Sequence, residues 1–166
     1  MKRLLLYVHF NKYDHISRHV FYQLEHMRPL FDKLVFISNS RLSESEVQKL
    51  RDKHLIDDFI QRENKGYDFA AWHDGMEFVG FDNLKQYDSV TVMNDTCFGP
   101  LWDMAPIYDK YESNSNVDFW GMTNHQGIKA GDIYIHEHLQ SYFISFKKRL
   151  VESSVFQKFW KSVESF

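Results

Sequence analysis

Short runs of β-forming apolar residues alternate with helix-period segments through most of this chain, and that alternation limits the folds open to it. Parallel strands need crossover connections, so strand–helix alternation implies a parallel sheet with helices packed on both faces. Leu4–Phe10 and Leu34–Ser38 read as buried strands, followed by shorter ones at Asp58–Gln61, Ser89–Met93, Asp118–Met122 and Ser141–Phe146. Ile16, Val20, Phe21, Leu24 and Met27 fall on one helical face, and Pro29 ends or bends that helix. Ser43 and Glu46 form a capping box ahead of a helix that turns Val47 and Leu50 inward, with Leu55 closing the turn. Asp68 reads as the N-cap of a helix carrying Phe69, Trp72, Met76 and Val79. Gly99-Pro100 leads into a helix around Asp103–Tyr111, Gly127–Asp132 reads as a loop, and Phe156, Phe159, Trp160 and Val163 define a last helix.

The length of 166 residues suits one core, so a single domain, 1–166, is expected. The apolar content is rich in aromatics, with 15 Phe, 9 Tyr and 4 Trp, which is the composition of a packed protein rather than a disordered one. A net charge of −3 with both signs interspersed leaves no electrostatic footprint for nucleic acid. Cys97 is the one cysteine, so no internal disulfide is available; this fits a cytosolic protein. The apolar run after Met1-Lys2-Arg3 stops at His9, too soon for a signal peptide, and reads as the first buried strand. No stretch approaches the ~20 apolar residues of a membrane span, leaving peripheral docking at the inner face of a membrane as the only membrane role expected.

In parallel sheets of this kind, ligands bind beyond the carboxyl ends of the strands. Four of those ends are polar here: His9-Phe10-Asn11, Ser38-Asn39-Ser40, Asn64-Lys65-Gly66 with Asp68, and Asn94-Asp95-Thr96. A cleft built from them suits a base, a ribose and a diphosphate. A glycine ahead of a helix allows backbone to approach a ligand, and the helix amino end favours phosphate. Taken alone, Asn64–Asp68 reads better as an ordinary turn with a cap. Asp95 is one acid where an Asp-x-Asp pair would be the stronger signal for a divalent ion, and an Asn-Asp-Thr turn on its own is commonplace.

Spacing and company sharpen the reading. The phrases Asn64-Lys65-Gly66-Tyr67-Asp68-Phe69-Ala70-Ala71-Trp72, Met93-Asn94-Asp95-Thr96-Cys97-Phe98-Gly99-Pro100-Leu101, Asp118-Phe119-Trp120-Gly121-Met122-Thr123 and His138-Leu139-Gln140-Ser141-Tyr142-Phe143 occur in this order, with Phe156-x-x-Phe159-Trp160 behind them. Together they resemble the rhamnan synthesis protein F family. The resemblance implies a GT-A-like, Rossmann-like α/β fold and a glycosyltransferase moving a sugar, L-rhamnose from dTDP-rhamnose, to a polysaccharide or lipid-linked glycan acceptor. It implies that His9, Asn39, Lys65, Gly66, Asp68 and Asn94 contact the nucleotide sugar. Asp95 would hold the donor diphosphate, directly or through Mg²⁺ or Mn²⁺. The chain ends soon after Trp160, where a full transferase would carry more acceptor-side structure; a fragment or a reduced acceptor pocket is expected.

An inverting transfer also needs a base for the acceptor hydroxyl. Asp132, Glu137 and His136 are the candidates, in that order. Trp102, Trp120, His125 and His138 are read as acceptor-side residues, while His136 and His138 match no strong zinc signature. Most other aromatics are assigned to the core, and Cys97 reads as a small buried residue rather than a nucleophile. The competing reading is a non-catalytic nucleotide-sugar or glycan-binding module of a polysaccharide-synthesis assembly.

Overall fold

The computed structural model describes residues 1–163; the last three residues of the expected 1–166 unit lie outside the described residues. Its elements in chain order begin with β1 (Arg3–His9), α1 (Arg18–Met27), β2 (Lys33–Ser38), α2 (Glu44–Asp52) and β3 (Asp58–Gln61). They continue with α3 (Tyr67–Val79), the short α4 (Phe81–Leu84), β4 (Ser89–Asn94), α5 (Ala105–Glu112) and β5 (Phe119–Gly121). Two small strand pairs follow, drawn from β6 (Asn124–His125), β7 (Ile128–Ala130), β8 (Ile133–Ile135) and β9 (His138–Leu139). The chain closes with β10 (Phe143–Lys147), α6 (Lys148–Val151) and α7 (Ser154–Lys161).

Six strands form one sheet in the order β3-β2-β1-β4-β10-β5. β1 to β4 are mutually parallel, and β10 runs antiparallel to both β4 and β5. This is the mostly parallel α/β sheet expected from the alternation. Strand periodicity sorts its core into two layers: Leu5 and Tyr7 of β1 face one side, while Leu4, Leu6 and Val8 face the other. On the first side Val20 and Leu24 of α1, Val47 and Leu50 of α2, and Tyr108 of α5 complete the core. Ala71, Trp72 and Met76 of α3, with Phe156 and Trp160 of α7, cover the second. Both faces of β1 are therefore dry, which is why it reads as an unbroken apolar run.

Several local expectations need correcting. Ser43 Oγ accepts from the Glu46 amide at 3.3 Å, but the Glu46 carboxylate does not reach back; it accepts from the Ile16 amide at 2.8 Å instead. Half of the capping box thus ties α2 to the β1–α1 loop. Asp68 is not the cap of α3: Gly66 is, with φ +67°, and Asp68 lies in the first turn. Gly127–Asp132 is not simply a loop, since β7 and β8 pair there around Gly131, whose φ of +61° makes the turn. Pro29 sits within a 3-10 turn, Arg28–Leu30, that continues α1 before the chain enters β2.

The sheet edge that carries the strand ends is built closely. Gly75 lets α3 lie against the sheet, because a Cβ at that position would come within 2.5 Å of Ile37 Cδ1. The Trp72 indole then donates to the Met93 carbonyl at 3.2 Å, fixing the first turns of α3 over the end of β4.

Candidate functional site

β1, β2, β3 and β4 all finish at this edge, and the residues after them surround a cleft of about 400 Å³. Phe10 and Asn11 enter from β1, Asn39 from β2, Asn64 from the loop after β3, and Asp95 and Thr96 from β4. His19 of α1, with Tyr67 and Asp68 of α3, completes it. The first turns of two helices therefore face one pocket. Neither Ser17 before α1 nor Gly66 before α3 caps its helix with a side chain, so both amino ends keep backbone N–H groups to offer an anion.

Asp68 and Asp95 are the acidic pair of the cleft. Asn94 Nδ2 donates to Asp68 Oδ2 at 2.8 Å, while Asn94 Oδ1 accepts from the Thr96 amide at 3.1 Å. Asp95 Oδ2 accepts from the Phe10 amide at 3.1 Å. Burial pushes the Asp95 carboxyl up to about 6, a rise that the Phe10 amide opposes and the Asp68 charge reinforces. His19 Nε2 lies 2.9 Å from the Asp95 carbonyl. A carbonyl only accepts, so this ring nitrogen carries the proton. Tyr67, 76% exposed, stands at the rim with φ +50°, a left-handed conformation rare for an aromatic residue.

Two carboxylates with one oxygen each already engaged do not form a closed metal cage, and among the described residues no group of three His, Cys, Asp or Glu side chains is placed to hold an ion. The donor set fits instead a hard cation such as Mg²⁺, which keeps waters and completes its shell with phosphate oxygens. A second, strongly polar groove of about 740 Å³ shares Asn39 and Asn64 with the cleft and adds Arg41, Arg62 and Lys65.

The predicted contacts divide. Asn39, Asp68 and Asp95 line the cleft, Asn94 orients Asp68 from beneath, and Gly66 supplies the left-handed turn ahead of α3. His9 does not face the ligand space. Its ring is buried, with Nδ1 3.0 Å from Ser38 Oγ and a face 5.4 Å from Phe36, and burial lowers it to about 4. Only its carbonyl serves the edge, accepting from the Asn39 amide at 2.8 Å. The Lys65 ammonium pairs with Glu63 at 2.6 Å and borders the polar groove rather than the cleft.

Trp120 is a correction. It is 4% exposed, stacked at 4.9 Å on Tyr111 and packed edge-on against Tyr108, because β5 turns its side chain into the core. Trp102, 60% exposed, borders a separate apolar pocket with Phe98 and Leu101. His125 and His138 are cross-strand partners stacked at 5.0 Å in the β6–β9 pair. Asp132 lies beside the β7–β8 turn, the Glu137 carboxylate accepts from Asn124, and His136 packs edge-on against Tyr134. None of these five lines the cleft. Their strand pairs are separate from the six-stranded sheet, so no ladder hydrogen bond ties them to it. The whole arm nevertheless springs from the same edge, since β10 begins opposite the end of β4: Phe143 pairs with Met93, and the Asn94 amide donates to the Tyr142 carbonyl.

Sequence reasoning passed over His19, Tyr67 and Arg62. His19 and Arg62 sit in segments whose local pattern signals only helix start and loop, and the positive φ of Tyr67 has no sequence marker.

The sequence pattern of the rhamnan synthesis protein F family matches residues 34–166. Among curated proteins, the uncharacterized protein y4gN of Sinorhizobium fredii is 30% identical over 145 residues, covering 87% of this chain and 36% of that protein. The virulence protein VirA of Vibrio anguillarum is 30% identical over 130 residues, covering 78% of this chain and 37% of VirA. The chain thus spans little more than a third of the length of these relatives. Two solved structures share the fold: HddC from Yersinia pseudotuberculosis (TM-score 0.54, 9% identity, 99% of this chain and 88% of that one) and a 4-diphosphocytidyl-2C-methyl-D-erythritol synthase (TM-score 0.56, 10% identity, 99% and 85%). The architecture is accordingly the GT-A-like, nucleotidyltransferase-like α/β fold.

Proposed function

This chain belongs to the rhamnan synthesis protein F family, and on that premise we propose that it is the nucleotide-sugar half of a glycosyltransferase acting in polysaccharide synthesis. The observation that carries the reading is the meeting of Asp68 and Asp95 in a cleft flanked by two helix amino ends without side-chain caps. Helix amino ends favour the phosphates of a nucleoside diphosphate sugar. The two carboxylates would hold Mg²⁺ or Mn²⁺ against them. When bound, that ion supplies positive charge to the departing diphosphate. The chain's own part is to orient the donor: Asn94 keeps Asp68 turned to the cleft, and the Phe10 amide holds Asp95. The ring of Tyr67, exposed at the rim, offers a stacking surface to a base or sugar.

The family name supports L-rhamnose as the sugar, and with it dTDP-rhamnose as the donor. The acceptor, a polysaccharide or lipid-linked glycan, would approach along the arm of residues 122–142, which carries Asp132, His136 and Glu137 as base candidates. No helix of the described residues is long and apolar enough to cross a membrane.

The test is calorimetry with dTDP and dTDP-rhamnose, with and without Mg²⁺, on the wild type and Asp95→Asn. Binding that strengthens with the ion and collapses in the variant is the expected result. Equal binding by both proteins removes Asp95 from the role, and no binding by the wild type removes the nucleotide from the cleft. A second reading, a binding module without catalysis, draws on the placement of Asp132, His136 and Glu137 outside the cleft. Donor turnover by the isolated chain would exclude it.

A further inference from the structure

Asn39 directly follows β2 and borders both the cleft and the polar groove beside it, yet it is only 6% exposed. A buried carboxamide at a ligand boundary is informative if its two ends can be told apart. Arg62, just beyond β3, tells them apart. Its Nη1 donates to Asn39 Oδ1 at 2.8 Å, its Nη2 to the Lys65 carbonyl at 3.0 Å and its Nε to Asp74 Oδ2 at 2.7 Å. A guanidinium has five donors and no acceptor, so the carboxamide atom that faces it must be the oxygen. The Asn39 nitrogen is then the end turned away from Arg62; it donates to no other group among the described residues, and Arg62 itself borders the groove rather than the cleft.

We infer that Arg62 is a positioning residue that fixes Asn39 as a hydrogen-bond donor to an oxo group on the nucleobase, and so makes the site prefer oxo bases to amino bases. The inference rests on the nucleotide reading above. Strand geometry gives its scale: β4, which presents Asp95, and β2, which presents Asn39, are separated only by β1. At ~4.8 Å between neighbouring strands, the two sites lie ~10 Å apart. A nucleoside diphosphate spans that distance, with phosphates at Asp95 and base at Asn39. The clamp also joins three elements, since the same guanidinium holds the Asn64–Gly66 turn through Lys65 and the second turn of α3 through Asp74. Base preference and the placement of the α3 amino end are thereby set by one side chain. An amino group presented to Asn39 would put donor against donor in a buried place, leaving both unpaired.

The experiment measures dissociation constants for UDP and dTDP against CDP, and for GDP against ADP, with Mg²⁺, on the wild type, Arg62→Lys and Asn39→Asp. The wild type should prefer the oxo member of each set by about tenfold, the effect of one misplaced hydrogen bond. Asn39→Asp keeps its partner, since a carboxylate pairs with Arg62, but it offers the base an acceptor; its preference should reverse toward CDP and ADP. Arg62→Lys keeps a charge for Asp74 but cannot hold three partners at fixed angles, so its selectivity should fall toward unity while its thermal midpoint reports an intact fold. A loss of fold in Arg62→Lys leaves the reversal in Asn39→Asp as the deciding measurement. Wild-type binding without oxo preference, or an unchanged ratio in Asn39→Asp, overturns the donor role and leaves the nucleotide site standing. Absence of any nucleotide binding by the wild type overturns both.

Discussion

The Asn94 carboxamide donates to Asp68 Oδ2 at 2.8 Å and accepts from the Thr96 amide at 3.1 Å, joining the end of β4 to the first turn of α3 with a single side chain. Asp68 and Asp95 are separated in the chain by the rest of α3, by α4 and by β4. Asn94 is what turns one toward the pocket that holds the other. Asn94→Ala should cost about 1–2 kcal/mol in chemical denaturation, the usual range for a lost hydrogen bond that leaves its partners unpaired. It should also weaken metal-supported nucleotide binding although Asp68 and Asp95 are untouched. Calorimetry on the folded variant checks the second effect separately from the first.

Asp95 predicts a stability that falls with rising pH. Its carboxyl is raised to about 6 in the fold against an ordinary 3.8, so its contribution is fully present below about pH 4 and is lost as pH climbs through 6. Two units correspond to about 3 kcal/mol as an upper figure. Asp95→Asn, which keeps the shape without the charge, should therefore stabilise the ligand-free protein at pH 8 and change little at pH 4. Denaturation midpoints across that range decide it, and a variant destabilised at pH 8 would contradict the burial argument.

His9 works in the opposite direction. Burial holds its ring at about 4 against 6.5 when unfolded, so its contribution is present above pH 6.5 and fades as pH falls toward 4. Proton NMR of the His9 ring should show no titration between pH 7 and 5. Replacement by Gln, which removes the titration, should flatten the acid limb of the stability curve relative to the wild type.

Tyr67 holds a left-handed backbone while its ring stays in water. Strain of that kind costs roughly 1 kcal/mol and gathers at ligand sites. Asparagine tolerates the conformation, so Tyr67→Asn should be neutral or stabilising by up to about 1 kcal/mol while reducing nucleotide affinity. A variant that loses stability and keeps affinity would assign the ring to packing instead.

The legible parts of this molecule were those with a period. Leu4–Val8, Leu34–Ile37 and Val90–Val92 announce buried strands, and Val20, Leu24, Val47 and Leu50 announce the helices of one face, because burial repeats with the pitch of the backbone. Asp95 and Asn39 could be singled out since polar residues at the ends of apolar strands of a parallel sheet gather at one edge. The same reasoning placed His9 in the site, and it erred because the last residue of β1 turns its ring to the same packed side as Leu5 and Tyr7, against Phe36 and Ser38 of the neighbouring strand β2. Trp120 failed likewise: a tryptophan beside a turn has no local sign of which way its strand faces.

The order of residues by itself determined the layers, since hydrophobic periodicity is a local property and the burial it demands leaves few arrangements. It also supplied the acids, amides and glycine of the site. Only the tertiary structure decided which of them meet: that Arg62 fixes the two ends of Asn39, that Asn94 turns Asp68, that Glu46 leaves its capping box for Ile16, and that the arm bearing Asp132 and His136 stands apart from the cleft. Hydrogen bonds between side chains distant in sequence depend on distances of a few tenths of an ångström and on angles. Those are fixed by how α3 seats on the sheet, through Gly75 and Trp72, and no local pattern encodes them.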